Sequence, residues 1–206
     1  MSYLPKPTEG GDFVLPPEGT HPALLYRLID LGTQITTYKG EQKIAHQILL
    51  GWELKGDETI MEDGRPMSMH KRYTWSMHEK ASLRKALEAW RGAKFQEKDF
   101  GPGGFDTRNL IGKSCLLSIV HEEKGDKTYA NIVSVSKLPK GMTAGSLIND
   151  AVYLWLSPEG FDKAVFEKLS DSLKATIAKS PEYQDLIGGK SRGGGKPLGD
   201  DDEIPF

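Results

Sequence analysis

The residues best equipped for chemistry stand close together in the run Met67-Ser68-Met69-His70-Lys71-Arg72-Tyr73-Thr74-Trp75. Cations and aromatic rings are interleaved there. Cations follow phosphates and exposed rings stack on bases, which is what binding a single nucleic-acid strand without a sequence code requires. Tyr38, Lys39, Lys43 and Trp52 come earlier in the chain, and Lys124, Lys127 and Tyr129 come later. In an ideal strand Lys71, Tyr73 and Trp75 share one face, and His70, Arg72 and Thr74 share the other. Periodicity alone does not say which face meets a ligand, and a bulge would change the register. Trp52 alternates with Ile48 and Leu50, which suits a core better than a stacking platform. Trp75 has the alternative of capping the entrance to the next helix.

A second constellation is Asp200-Asp201-Asp202-Glu203-Ile204-Pro205-Phe206, four acids followed by a short apolar hook. It follows Gly188-Gly189-Lys190-Ser191-Arg192-Gly193-Gly194-Gly195-Lys196, a glycine-rich stretch with nothing to bury, expected to act as a flexible tether. Such a tip suits capture by a partner: a pocket for the ring, a basic group for a terminal carboxylate and a basic rim for the acids. Acidic runs usually only solvate a chain. That explains the four acids and leaves Ile204, Pro205 and Phe206 unexplained.

Catalytic chemistry finds little support. Gly112-Lys113-Ser114 and Gly189-Lys190-Ser191 imitate the end of a phosphate loop, but Thr107 and Gln184 stand where its first glycine belongs. No Gly-x-Ser-x-Gly or His-Glu-x-x-His pattern occurs. The one cysteine, Cys115, excludes an intrachain disulfide and a multi-thiolate zinc site, and the five histidines lack ligand spacing. No cofactor and no metal are expected, and the chain reads as a non-enzyme. Net charge is −2 over 206 residues, and about +2 without the four tail acids. That near-balance does not forbid nucleic acid, because the field of one groove matters more than the total. No apolar run spans a membrane and no signal peptide opens the chain, so a cytoplasmic protein is expected.

The elements that would position these residues follow from periodicity. Residues 1–18 read as an irregular arm. Strands are expected over 23–31, 43–54, 66–75, 112–122 and 127–138. Ser76-Met77-His78-Glu79 fits a capping box opening a helix that runs to Arg91 and stops at Gly92. Strand, strand, strand, helix, strand, strand is the order of a five-stranded OB-fold Greek-key barrel. Residues 19–140 would form it. Residues 141–187 read as a helical appendage, with Ser157-Pro158 opening a helix through Phe161, Val165, Phe166, Leu169, Leu173 and Ile177; Pro181 ends or restarts it, with Tyr183 to Ile187 available for one more turn. It would pack on the barrel or on its twin in a homo-oligomer. Residues 188–206 are linker and tail.

The tip, from Asp201 through Glu203 to Ile204-Pro205-Phe206, resembles the C-terminal tail of bacterial single-stranded-DNA-binding proteins. The body resembles bacteriophage-encoded single-stranded-DNA-binding proteins, through Ile29-Asp30-Leu31-Gly32-Thr33, Trp52-Glu53-Leu54, Tyr73-Thr74 with Ser76, Leu83-Arg84-Lys85, Trp90-Arg91-Gly92 and Ala130-Asn131-Ile132. The resemblance implies an OB-fold that coats single strands during replication, repair and recombination, in the host cytoplasm if phage-encoded. It implies that the tail recruits partner enzymes, and its acids could also compete with DNA for the groove. A longer link between strands three and four and the extra helix depart from the bacterial pattern. The alternative from another class is a protein–protein adaptor with an OB-like barrel and a docking tail.

Overall fold

The computed structural model describes residues 14–38 and 41–188. Six strands form one sheet: β1 (Gly19–Tyr38), β2 (Glu41–Leu54), β3 (Ser68–Thr74), β4 (Ser114–Lys124), β5 (Lys127–Ser136) and β6 (Val152–Leu154). Four helices accompany them: α1 (Ser82–Arg91), α2 (Lys163–Glu167), α3 (Asp171–Ala178) and α4 (Pro181–Ile187).

Alternation builds the main core as expected. Ile48, Leu50, Trp52 and Leu54 of β2 point to one side and pack with Leu25, Leu28, Leu117 and Ile119. The intervening Leu49 is buried too, in a second core with Ile29, Leu31, Leu154, Phe166, Leu169 and Ile177. The middle of β1 is therefore covered on both faces, which is why its sequence reads as a continuous apolar run. Register shifts between Leu25 and Arg27 and between Asp30 and Gly32 mark two bulges in β1. The first returns Leu28 to the side of Leu25, although they lie three positions apart.

The strand path is β3-β2-β1-β4-β5, with β6 added in parallel beside Arg27–Ile29 of β1. This corrects the expected OB-fold. The sheet is open, β3 and β5 are the two ends of its path, and no ladder joins them among the described residues. The architecture is a mixed α/β fold. Where the two ends approach, a side chain fills the seam in place of a ladder: Lys71 Nζ donates to the carbonyl of Ile132 at 2.8 Å.

Two helix boundaries also differ from expectation. The helix after β3 begins at Ser82, six residues beyond Ser76, and Ser76 Oγ only accepts the His78 N–H at 3.3 Å. Its other end is as read: Gly92 sits at φ 72°, where a side chain would be strained. Leu83, Leu87 and Trp90 face the main core, and Trp90 Nε1 donates to the Ser114 carbonyl at 2.7 Å. The helix expected from Ser157 through Ile177 is two short ones, α2 and α3, and α4 starts at Pro181, where a restart was expected. Ser157 caps a turn, its Oγ accepting from Gly160 N at 3.0 Å. Asp162, Ser170 and Ser180 each accept N–H groups at the start of a new helix, and Pro181 occupies the first turn of α4. The segment before them is strand β6, not helix.

A polar knot ties this appendage to the sheet. Asp30, 1 % exposed, accepts from His46 Nε2 at 2.6 Å and from Gly32 N at 2.8 Å through Oδ1, and from Leu156 N at 3.1 Å through Oδ2. Glu182 of α4 accepts from the Thr33 hydroxyl at 2.5 Å and from Thr33 N at 2.8 Å. Burial disfavours the charged imidazole of His46, but the hydrogen bond and charge of Asp30, then Glu182, outweigh it and raise its pKa above 6.5. Among the described residues no helix is long and apolar enough to cross a membrane.

Candidate nucleic-acid interface

The open seam between β3 and β5 makes a cleft of about 470 Å³. Met69 and His70 of β3 form one wall, Lys127, Thr128, Tyr129 and Ala130 of β5 the other, and Leu15 and Pro16 close one side. Three of the residues singled out from the sequence, His70, Lys127 and Tyr129, thus meet across the cleft. Tyr129 is 44 % exposed, so its ring is open to a stacking partner.

The structure settles the face of β3. Met69 and Tyr73 point into the main core at 7 % and 4 % exposure, with Lys71 between them, while His70, Arg72 and Thr74 are exposed. Tyr73 therefore offers no stacking surface. Burial pushes its hydroxyl up to about 12, with a smaller contribution from Cys115. Lys71 lies with its ammonium 5.5 Å from the Tyr73 ring centre and is held by Ile132, and burial lowers its pKa. It closes the floor of the seam and is not a free phosphate contact. Arg72 follows His70 two residues on along the outer face.

His70 is exposed as a residue, but its Nε2 edge turns inward and accepts the Tyr26 hydroxyl at 3.0 Å. This is possible because position 51 is glycine: a Cβ there would lie 2.6 Å from His70 Cδ2. Desolvation of the ring, then the charge of Arg27, lower its pKa to about 4. At neutral pH His70 is an uncharged wall of the cleft and does not act as a cation.

The remaining expected residues do not converge there. Trp52 is fully buried, its ring 6.1 Å from that of Trp90, and is a core residue. Lys124 is at the tip of the β4–β5 hairpin, 3.3 Å from Glu122. Lys43 is exposed opposite Thr36, far along the β1–β2 hairpin. Tyr38 ends β1, and its side chain, Lys39 and the tail residues Asp200, Asp201, Asp202, Glu203, Ile204, Pro205 and Phe206 lie outside the described residues.

Trp75 belongs to a different hollow, of about 630 Å³, with Tyr153, Trp155, Phe105 and Arg108 in its lining. The Trp75 ring meets Trp155 edge-on at 4.9 Å, and Tyr153 lies nearly parallel to Trp155 at 6.4 Å. Sequence reasoning missed Tyr153 and Trp155 because their segment was read as helix. The signal was present: Val152, Leu154 and Leu156 alternate with Tyr153 and Trp155, a period of two. Tyr26, which bonds His70, and Arg27, whose charge adds to the desolvation of its ring, carried no such signal.

Among the described residues no group of three or more His, Cys, Asp or Glu could hold a metal ion. No family model matches this chain, and no curated protein is significantly similar to it.

Proposed function

We propose that this protein binds single-stranded DNA without reading its sequence, along the cleft between β3 and β5. The observation that carries the reading is the exposed Tyr129 ring beside Lys127 in an open seam whose far wall leads to Arg72. A stacking surface flanked by unburied cations is the recognition chemistry of single strands. The resemblance of the tail and of scattered body residues to single-stranded-DNA-binding proteins supports the same reading. In it the protein protects strands exposed in replication, repair and recombination, and residues 200–206 recruit the enzymes that act there.

The test is titration of a fluorescent oligo-dT against duplex of equal length at two salt concentrations. Salt-sensitive binding with strong preference for the single strand is expected. Absence of single-strand binding at low salt would overturn the reading and leave a protein-binding adaptor.

A further inference from the structure

Beside α1 the fold leaves a hollow of about 570 Å³ that the proposed function does not use. Its floor is apolar: Leu87, Trp90, Leu110, Leu138 and Met142. Its rim is basic: Arg91, Lys113, Lys137 and Lys140. Among the described residues no Asp or Glu lines it. Arg91 is engaged by Asp99 at 3.1 Å, whereas Lys113, Lys137 and Lys140 make no ion pair among the described residues and are exposed. Three unpaired cations around an apolar floor call for a ligand that is acidic and greasy at once.

A nucleic-acid strand fits poorly. Trp90 is 7 % exposed and its N–H is already bound to Ser114, so it has no open ring face for a base. The chain itself contains the complementary chemistry in residues 200–206, where four acids stand beside Ile204, Pro205 and Phe206. Length permits the contact. The 12 residues from Gly188 to Asp200 can span at most roughly 40 Å, more than twice the radius of gyration of about 16 Å for a folded body of this size.

We propose that the α1 hollow is the receptor for residues 200–206 of the same chain. Ile204, Pro205 and Phe206 fill the apolar floor, and the acids pair with Lys113, Lys137 and Lys140. The tip is then withheld from outside partners until one of them outcompetes the hollow. This docking site is separate from the β3–β5 cleft, so it does not require that the protein bind DNA.

The experiment uses the full chain and a fluorescent peptide of residues 199–206, followed by anisotropy. In a chain disarmed by Ile204→Ala and Phe206→Ala the hollow is vacant and the peptide binds saturably. In the unaltered chain it binds at least about tenfold more weakly, because a tethered competitor acts at high effective concentration. Lys137→Glu with Lys140→Glu weakens binding to the disarmed chain by at least about tenfold, the equivalent of one charge-assisted contact. Both lysines are exposed, so the fold is not at risk. A peptide with its acids replaced by lysines regains affinity for that variant. Equal peptide binding to disarmed and unaltered chains would overturn the proposal, as would indifference to the two charge reversals. Loss of oligo-dT binding on those reversals without peptide binding would make the hollow a nucleic-acid contact and overturn it too.

Discussion

The separate contributions of charge and stacking in the β3–β5 cleft can be measured by two substitutions, Lys127→Ala and Tyr129→Ala. Of the cations near the cleft, Lys71 is held by Ile132 and Lys124 sits beside Glu122, which leaves Arg72 and Lys127 for phosphates. Each phosphate contact to a single strand contributes about 0.7 to the slope of log affinity against log salt, so two give about 1.4. Between about 50 and about 200 mM salt the affinity of the unaltered protein therefore falls about sevenfold. Lys127→Ala halves the slope and reduces that fall to about threefold. Tyr129→Ala acts differently. It removes one stacked ring, worth about 1–3 kcal/mol, so affinity drops about 5- to 150-fold at every salt concentration with the slope unchanged. Tyr129 is 44 % exposed, so its loss barely alters folding. The assay is oligo-dT anisotropy across a salt series for the three proteins. An unchanged slope in Lys127→Ala, together with unchanged affinity in Tyr129→Ala, would refute the placement of the strand in this cleft.

Asp30→Asn leaves buried donors from His46, Gly32 or Leu156 without an acceptor and is expected to cost about 3–5 kcal/mol in urea denaturation, releasing the appendage first. Two histidines give opposite pH signatures, readable by imidazole NMR and by denaturation across pH. His46 titrates above 6.5, so its contribution to stability is full below pH 6.5 and is lost as pH rises through its elevated pKa. His70 titrates near 4, so the unfolded chain takes up a proton that the folded chain refuses, and stability falls as pH drops from 6.5 toward about 4. In Gly51→Ala the added methyl meets His70 Cδ2, displaces the ring from Tyr26 and shifts its titration back toward 6.5; a titration still near 4 would show that the Tyr26 contact does not hold the ring.

Much of the sheet was legible because burial on one face forces a period of two. The inward set of β2, the Gly92 stop and the hairpin joining β4 to β5 could all be read locally. The expected start of α1 was wrong because the capping pattern at Ser76 scores sequence alone, whereas the chain still has to leave β3 before it can turn into helix. The long helix after Ser157 failed for a related reason. Its apolar spacing was real, and every one of Phe166, Leu169 and Ile177 is buried, but Ser170 restarts the backbone one break earlier than the restart legible at Pro181, and three short pieces wrap one patch of sheet. Of the residues singled out, His70, Lys127 and Tyr129 line one cleft. Tyr73 was given a surface role that its burial excludes, whereas Trp52 is a core residue, as its alternation with Ile48 and Leu50 indicated.

The sequence by itself determined which residue types are available, where strands alternate and where turns fall, because these depend on neighbours a few positions away. It also carried the acid-rich tip, whose chemistry needs no fold to be recognised. Only the tertiary structure decided that the sheet stays open, that β6 lies against β1, and that His70 faces Lys127 and Tyr129. It alone decided that His70 is neutral, through burial of its ring over Gly51 and the charge of Arg27, and that Lys71 closes a seam. These outcomes depend on which distant segments share space, and on the dielectric that sharing creates, and neither is encoded in the spacing of residues along one strand.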